Sequence, residues 1–200
     1  MAYPTVSAPY GFKPINRFDG MPYAGATMLM AVTSGQAVYT GQVVKQVAGG
    51  TISPIADLNA ESLYAVGVVT GVQYTNSLGQ TVQAQYAPAS GVSNVLAYVV
   101  VDPAANFKVA VTNSSSAMST VTAAVVGANI LGLTGTGSAT TGDINSSVIA
   151  SSAAATDTHL FRVIAVVPET AASATTYTEV IVKFNGTWHQ MLSTTGTALS

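Results

Sequence analysis

Apolar and polar residues alternate along most of the chain after residue 25. In the stretch 177–185 the even positions, from Thr178 to Phe184, form an apolar face, while the odd positions are mostly polar. A period of two predicts a β-strand with one covered face. Segments rich in Val, Ile, Thr and Tyr, separated by Gly, Pro or Asn, predict strands at 26–33, 37–47, 51–53, 66–75, 81–86, 95–101, 107–112, 146–150, 160–167 and 178–184. Short strands at this spacing predict a mainly β fold, either a barrel or a sandwich.

The first 25 residues differ from this pattern because prolines and aromatic residues are interspersed without alternation. Proline fixes φ and removes a backbone donor, so residues 1–25 are predicted to form an extended arm and residues 26–200 the β-rich body. The arm either packs on its own body or reaches a neighbouring subunit, where its aromatic rings would act as anchors. The interface candidates in the arm are Tyr3, Tyr10, Phe12, Phe18 and Tyr23.

One more interface candidate lies near the other end of the sequence. Trp188 is the only tryptophan, and it follows the last predicted strand beside His189. Tryptophan is a frequent interface anchor because it buries a large area and offers one hydrogen-bond donor. Packing of the ring in the core is the alternative.

The alternation is weakest between residues 113 and 158, which are predicted to form a loop-rich excursion from the body. Three serines at 114–116 could cap a short helix over 117–126, the only helix expected. The Gly- and Thr-rich stretch 131–142 predicts a loop.

Charged residues make up 7% of the chain, against about 25% in an ordinary soluble domain. Residues 62–101 and 109–142 contain no Lys, Arg, Asp or Glu at all. We expect these two charge-free stretches to supply much of the core and of a surface that meets other protein. The six Lys and Arg residues are scattered in sequence, which predicts no basic stripe and no direct binding to nucleic acid.

Two further features of the composition limit the classes of protein. The chain has no cysteine, so disulfides and thiolate chemistry are excluded. Its apolar runs are too short to span a bilayer, and its first residues lack the pattern of a secretion signal. We therefore expect synthesis in a cytoplasm and no membrane partner.

Residues that could carry catalysis are few, and we expect no enzymatic activity and no cofactor. His159 lies two residues after Asp157, which would place both on one face of a strand, but an exposed loop histidine is the simpler interpretation. The stretch 132–142 is rich in glycine, yet it lacks the Lys that a phosphate-binding Walker loop requires after its last glycine.

A metal site is not expected either. Asp143, Asn145 and Ser147 alternate like the first ligands of a calcium loop. The twelfth position of such a loop would be Ala154 instead of a bidentate Glu, and no Gly occupies the sixth.

Five segments resemble virion structural proteins of tailed phages, especially short-tailed phages of aquatic bacteria. The segments are SAPYGFKPIN (7–16), GQVVKQVAGGTI (41–52), VGVVTGVQYT (66–75), VVDPAANFKV (100–109) and VIVKFNGTWHQ (180–190). The resemblance implies a head decoration, or cement, protein: a β-rich homotrimer on the outer capsid surface that stabilises the head by bridging subunits of the major capsid protein. Residues 1–25 would then be the candidate clamp on a neighbour.

Two other classes share these features. A tail, knob or fibre subunit would have the same β-rich, hydroxyl-rich character but far fewer copies per virion. A carbohydrate-binding module would need aromatic residues clustered on one exposed face, for which Trp188 and Tyr177 are the local candidates.

Overall fold

Strands make up most of the regular structure, as the alternation predicts. The computed structural model describes residues 8–21, 25–171 and 177–193. Within them the strands are β1 Lys13–Arg17, β2 Met28–Ala31, β3 Val38–Tyr39, β4 Val43–Gln46, β5 Ile52–Pro54, β6 Gly67–Asn76, β7 Thr81–Ala84, β8 Tyr86–Ala87, β9 Val92–Val100, β10 Ala105–Thr112, β11 Asn129–Ile130, β12 Gly132–Leu133, β13 Ser147–Ile149, β14 Phe161–Val166 and β15 Glu179–Phe184. Single 3₁₀ turns occupy Ala48–Gly50, Ala123–Val125, Ala150–Ser152 and Gly186–Trp188. The mainly β fold class is confirmed.

The first half of the body forms a small, nearly closed barrel. Its strands are hydrogen-bonded in the order β2-β9-β6-β4-β5, and β7 extends the sheet along the far end of β6. A parallel bridge between Val32 and Ile52 links β5 back to the end of β2, where the Thr33 N–H donates to the Ile52 carbonyl at 2.8 Å. The short β3–β8 pair adds Val38 and Ala87 to the apolar cluster that the barrel strands share.

The second half forms a seven-stranded sheet in the order β11-β14-β15-β10-β13-β12, and β1 pairs with β10. β1 and β13 lie end to end along the same side of β10, and the Gly11 N–H donates to the Ser146 carbonyl at 3.1 Å where they meet. The strand nearest the amino terminus thus completes a sheet built from the other end of the chain.

Alternation along the barrel strands divides their apolar residues between two cores. Val44, Val69 and Val99 belong to the cluster inside the barrel. Their sequence neighbours Val43, Val68 and Val100 belong to a second cluster, which also contains the inner face of the seven-stranded sheet. Adjacent residues of a strand point to opposite faces, so one wall of the barrel is apolar on both sides and joins the two halves of the molecule.

The predicted helix over 117–126 is wrong. Only Ala123–Val125 forms a 3₁₀ turn, begun by the Thr122 side chain, which accepts from the Ala124 N–H. Before this turn, the Ser119 N–H donates to the Val111 carbonyl, so this segment pairs with β10 and does not form a helix. The β-branched Val and Thr residues of this stretch favour such extended backbone over helix.

The charge-free stretches do supply core, as expected. Residues of 62–101 that are fully buried include Ala65, Val66, Val68, Val69, Ala97, Val99 and Val100. From 109–142 the fully buried apolar residues are Val109, Ala110, Val111 and Ile130. The described residues contain no helix that is long and apolar enough to cross a membrane.

Candidate functional site

The outward face of the seven-stranded sheet gathers most of the basic residues. Five of the six Lys and Arg residues lie on its strands, namely Lys13, Arg17, Lys108, Arg162 and Lys183. These residues are scattered in sequence, but the fold places them on one sheet. Pairing of β1, β10, β14 and β15 brings residues from both ends of the described chain onto one sheet.

A row of five polar residues crosses this sheet in register. In strand order the row consists of Asn16, Asn106, Lys183, Arg162 and Asn129, each directly opposite the next. Residues opposite one another in a sheet share a face, so the five side chains lie side by side. We call them the cross-strand row.

The row faces away from the shared core. Phe107 and Val182 follow Asn106 and precede Lys183 in their strands, and both are fully buried in that core. Side chains alternate along a strand, so Asn106 and Lys183 point to the other face. Arg162 is exposed, and Lys183 is half-buried.

Amide side chains hold both ends of the row. Asn106 Nδ2 donates to Asn16 Oδ1 at 3.0 Å, and Arg162 Nε donates to Asn129 Oδ1 at 2.9 Å. Asn106 is buried, and its Oδ1 accepts no hydrogen bond within the described residues. The row therefore has fixed ends and an unsatisfied acceptor beside Lys183.

The two cations at the centre of the row lie opposite one another without a carboxylate. Within the described residues, neither Arg162 nor Lys183 has an Asp or Glu oxygen within 4.0 Å. Lys183 Nζ lies 4.5 Å from the centre of the Phe18 ring, a cation–π contact. Phe18 itself is 61% exposed, so the ring forms an accessible rim beside the two charges.

The other cations of the sheet are paired. Lys13 Nζ lies 2.7 Å from Asp143 Oδ1, and Arg17 Nε lies 3.2 Å from Asp102 Oδ2. These carboxylates bind the first strand to the body, whereas Arg162 and Lys183 have no carboxylate partner among the described residues.

Lys108 is held by a buried carboxylate. Its Nζ lies 3.5 Å from Glu179 Oε2, and the Tyr10 hydroxyl donates to the other oxygen of Glu179. Burial, followed by the hydrogen bond and charge of Glu179, raises the pKa of Tyr10 above its ordinary value. Tyr10 therefore remains a neutral donor to Glu179 at physiological pH.

The remaining interface candidates of the arm have different environments. Phe12 is 1% exposed and stacks on Phe161 with ring centres 4.7 Å apart, so its ring is not available to a partner. The part of the arm from Phe12 through β1 thus pairs and packs with the chain's own body. Tyr3 and Tyr23 lie outside the described residues.

Trp188 packs against its own chain. Its ring meets Tyr64 edge-on at 5.1 Å, and its Nε1 donates to the Asp157 carbonyl. Tyr177 is buried, so Trp188 and Tyr177 do not form an exposed aromatic platform. His159 is also buried, with Nδ1 3.2 Å from the Asn129 carbonyl, and the expectation of an exposed loop histidine is wrong.

The barrel carries a second unusual surface. Part of the barrel sheet extends past the end of β4 as three strands. This extension consists of residues 73–84 and 92–96, which include the end of β6, the whole of β7 and the start of β9. None of these residues is charged and none is buried. We call this extension the charge-free projection.

The tip of the charge-free projection is rigidly built. Asn76 Oδ1 accepts from the N–H groups of Leu78 and Gln80, and Gly79 donates back to the Asn76 carbonyl. The turn presents Leu78 with 80% of its surface exposed. The outer edge of β7 pairs with no other described strand.

A cavity of about 420 Å³ lies next to this extension and has a neutral lining, with Thr33, Ser34 and Asn94 as its hydrogen-bonding groups. The described residues contain no group of three or more His, Asp or Glu side chains able to hold a metal ion.

Comparison of the chain with protein-family models, with curated proteins and with solved structures finds no match.

Proposed function

We propose that the protein is a capsid decoration, or cement, protein that binds the outer surface of a phage head and bridges subunits of the major capsid protein as a homotrimer. The observation that carries this proposal is the charge-free projection. The resemblance of five sequence segments to phage virion proteins is the reason for proposing a phage head as the assembly that it binds.

An open sheet edge without charge is a binding surface unless it is protected. Soluble proteins usually protect edge strands with Lys, Pro or a bulge, because the unpaired N–H and C=O groups would otherwise recruit another strand. The sequence of β7 is TVQA, which has none of these protections. A neighbouring strand that pairs with Thr81–Ala84 would satisfy this edge by strand addition.

The surface around the edge also favours permanent contact. Hydroxyl and amide side chains such as Thr81 and Gln83 lose less hydration free energy on burial than charged ones, provided that they are hydrogen-bonded. Stable interfaces bury about 800 Å² on each partner. Repeated around a trimer and across capsid joints, such contacts would lock the expanded shell and resist internal pressure.

Binding to capsids tests the proposal directly. The protein is mixed with expanded capsids assembled from the major capsid protein of the same virus, and the pelleted complex is quantified. We expect saturable binding at hundreds of copies per capsid and a trimer in light scattering. A monomer that leaves capsids bare would overturn the proposal, and binding confined to tails at tens of copies or fewer would assign the protein to the tail instead.

Substitutions on the exposed edge of β7 test whether the charge-free projection is the contact surface. The double variant Thr81→Lys/Gln83→Lys places two charges on β7, and we expect trimer or capsid affinity to fall at least about tenfold. Ser114→Lys/Ser115→Lys adds the same charge to an exposed loop in the other half of the molecule and is the matched control. Equal affinity of the two variants would exclude the projection as the contact surface.

A further inference from the structure

The two central residues of the cross-strand row are both positively charged and lie next to each other. Arg162 and Lys183 are directly opposite on neighbouring antiparallel strands, an arrangement that destabilises a sheet when no counter-ion is present. The chain contains only four other Lys and Arg residues. A protein so poor in charge that places two cations side by side without a carboxylate has a local excess of positive potential.

The surroundings of the two cations fit a carboxylate better than a polyanion. Asp102, Asp143 and Glu179 lie on the same sheet or at its ends, each beside another cation. Asp102 and Asp143, which are partly exposed, would repel a nucleic acid strand following this face. Two phosphate contacts would also give only weak binding.

The neighbouring groups favour a protein segment as the source of that carboxylate. Phe18 forms an exposed aromatic surface beside Lys183. A peptide can supply a carboxylate for the cations and an apolar side chain for the ring within a few residues. Aromatic residues and Arg are enriched in protein interfaces.

We propose that the outward face of the seven-stranded sheet, centred on Arg162 and Lys183, docks an acidic segment of a partner protein. The carboxylate lies between the two cations, and Phe18 covers its flank. The partner's identity as a capsid subunit rests on the proposed function, but the chemistry of the docking surface does not.

A peptide titration tests this surface separately from capsid binding. The ¹⁵N-labelled protein is titrated with the peptide Gly-Asp-Phe-Glu-Gly, acetylated at its amino end and amidated at its carboxyl end, and, in parallel, with Gly-Asn-Phe-Gln-Gly blocked in the same way. We expect amide shifts centred on Asn106, Arg162 and Lys183 with the acidic peptide alone. Inorganic phosphate and an oligothymidylate are titrated at equal charge as competing ligands.

The variant Arg162→Gln/Lys183→Gln should bind the acidic peptide roughly 3- to 10-fold more weakly, since each exposed ion pair contributes a modest amount. Lys45→Gln removes the sixth basic residue, which is exposed on the barrel, and should leave the affinity unchanged. If the double variant does not fold, Lys183→Gln alone and a salt titration of the natural protein give the same comparison, because screening at high salt should abolish the shifts.

Several results would overturn the proposal. They are equal shifts with the amide peptide, an affinity unaffected by either substitution, or tighter binding of the oligothymidylate than of the acidic peptide. Capsid binding by a protein that fails these peptide tests would leave the proposed function standing and remove this surface from it.

Discussion

Phe12 fixes the amino-terminal segment to the body, because its ring is buried against Phe161 in the shared core. The substitution Phe12→Ala removes this ring and leaves a cavity that the sheet cannot fill. We expect the free energy of unfolding to fall by about 3–5 kcal/mol, measured by urea denaturation.

Phe18 is the control for this prediction, since it is an aromatic residue of the same segment with 61% of its surface exposed. Phe18→Ala removes only the contact with Lys183, and we expect a loss of about 1 kcal/mol or less. Similar losses in the two variants would contradict the assignment of Phe12 to the core.

His189 makes stability depend on pH. It is 0% exposed, its Nδ1 accepts from the Met191 N–H, and its Nε2 has no partner within the described residues. Burial lowers the pKa of His189 to about 4 from the ordinary value of 6.5. The unfolded chain therefore binds a proton at this residue before the folded chain does, and stability is lost as the pH falls from about 7 towards 4.

The change His189→Gln isolates this contribution from the carboxylates that titrate in the same range. Between pH 7 and 4.5 the natural protein should lose roughly 2 kcal/mol more than the variant, as determined from urea midpoints at each pH. The reverse order, with the variant losing more, would show that His189 is not buried as a neutral ring.

At the scale of elements, the join between the amino-terminal segment and β1 depends on two glycines. Gly11 and Gly41 both have positive φ, and the Phe12 N–H donates to the Gly41 carbonyl at 3.1 Å. A Cβ on Gly11 would lie 2.9 Å from the Ile144 carbonyl oxygen. A side chain at residue 11 therefore meets backbone that cannot easily move.

Gly11→Ala should destabilise the protein more than Gly20→Ala. Both residues have positive φ, which costs an alanine about 1–2 kcal/mol, but a Cβ on Gly20 meets nothing within 4 Å. We expect Gly11→Ala to show an additional loss in thermal and urea denaturation. Equal losses would mean that the segment can shift away from Ile144.

The strands of this fold were largely predictable from the sequence, because half-buried β-strands alternate. All ten predicted strand segments overlap an observed strand, and Gly41 divides the segment 37–47 into β3 and β4. The strand Lys13–Arg17 was missed since Pro14 and the bulge after it break the period of two. The two-residue strands β11 and β12 are too short to show a period.

The cross-strand row could not be predicted, because it depends on which strands pair. Alternation places Lys183 on the polar side of its strand, and that is the only local signal. Lys183 lies opposite Arg162 only because β14 and β15 are neighbours. It lies opposite Asn106 only because β10 pairs with the other edge of β15. Strand order is set by packing over the whole chain.

At the scale of the whole molecule, β4, β6 and β9 line both cores and make them interdependent. Val69→Ala in the barrel and Val182→Ala in the shared core should each lower the free energy of unfolding by about 2 kcal/mol. We expect a single transition in each variant, with the same midpoint in far-UV circular dichroism and in the fluorescence of Trp188.

Comparison of the circular dichroism transition with the Trp188 fluorescence transition shows whether the two halves unfold together. Trp188 packs against the shared core, so its fluorescence reports on the seven-stranded sheet. If Val69→Ala separates the circular dichroism transition from the Trp188 transition, the barrel unfolds independently and the shared wall does not couple the halves.

The position of β15 in the seven-stranded sheet has a consequence for biosynthesis. β15 is the last described strand to leave the ribosome, yet it lies between β10 and β14. The barrel strands, from Met28 to Val100, are contiguous in sequence and can assemble while the rest is still being translated. Until β15 arrives, β10 and β14 have open edges, so the nascent chain is most exposed to wrong association during the final stage of its synthesis.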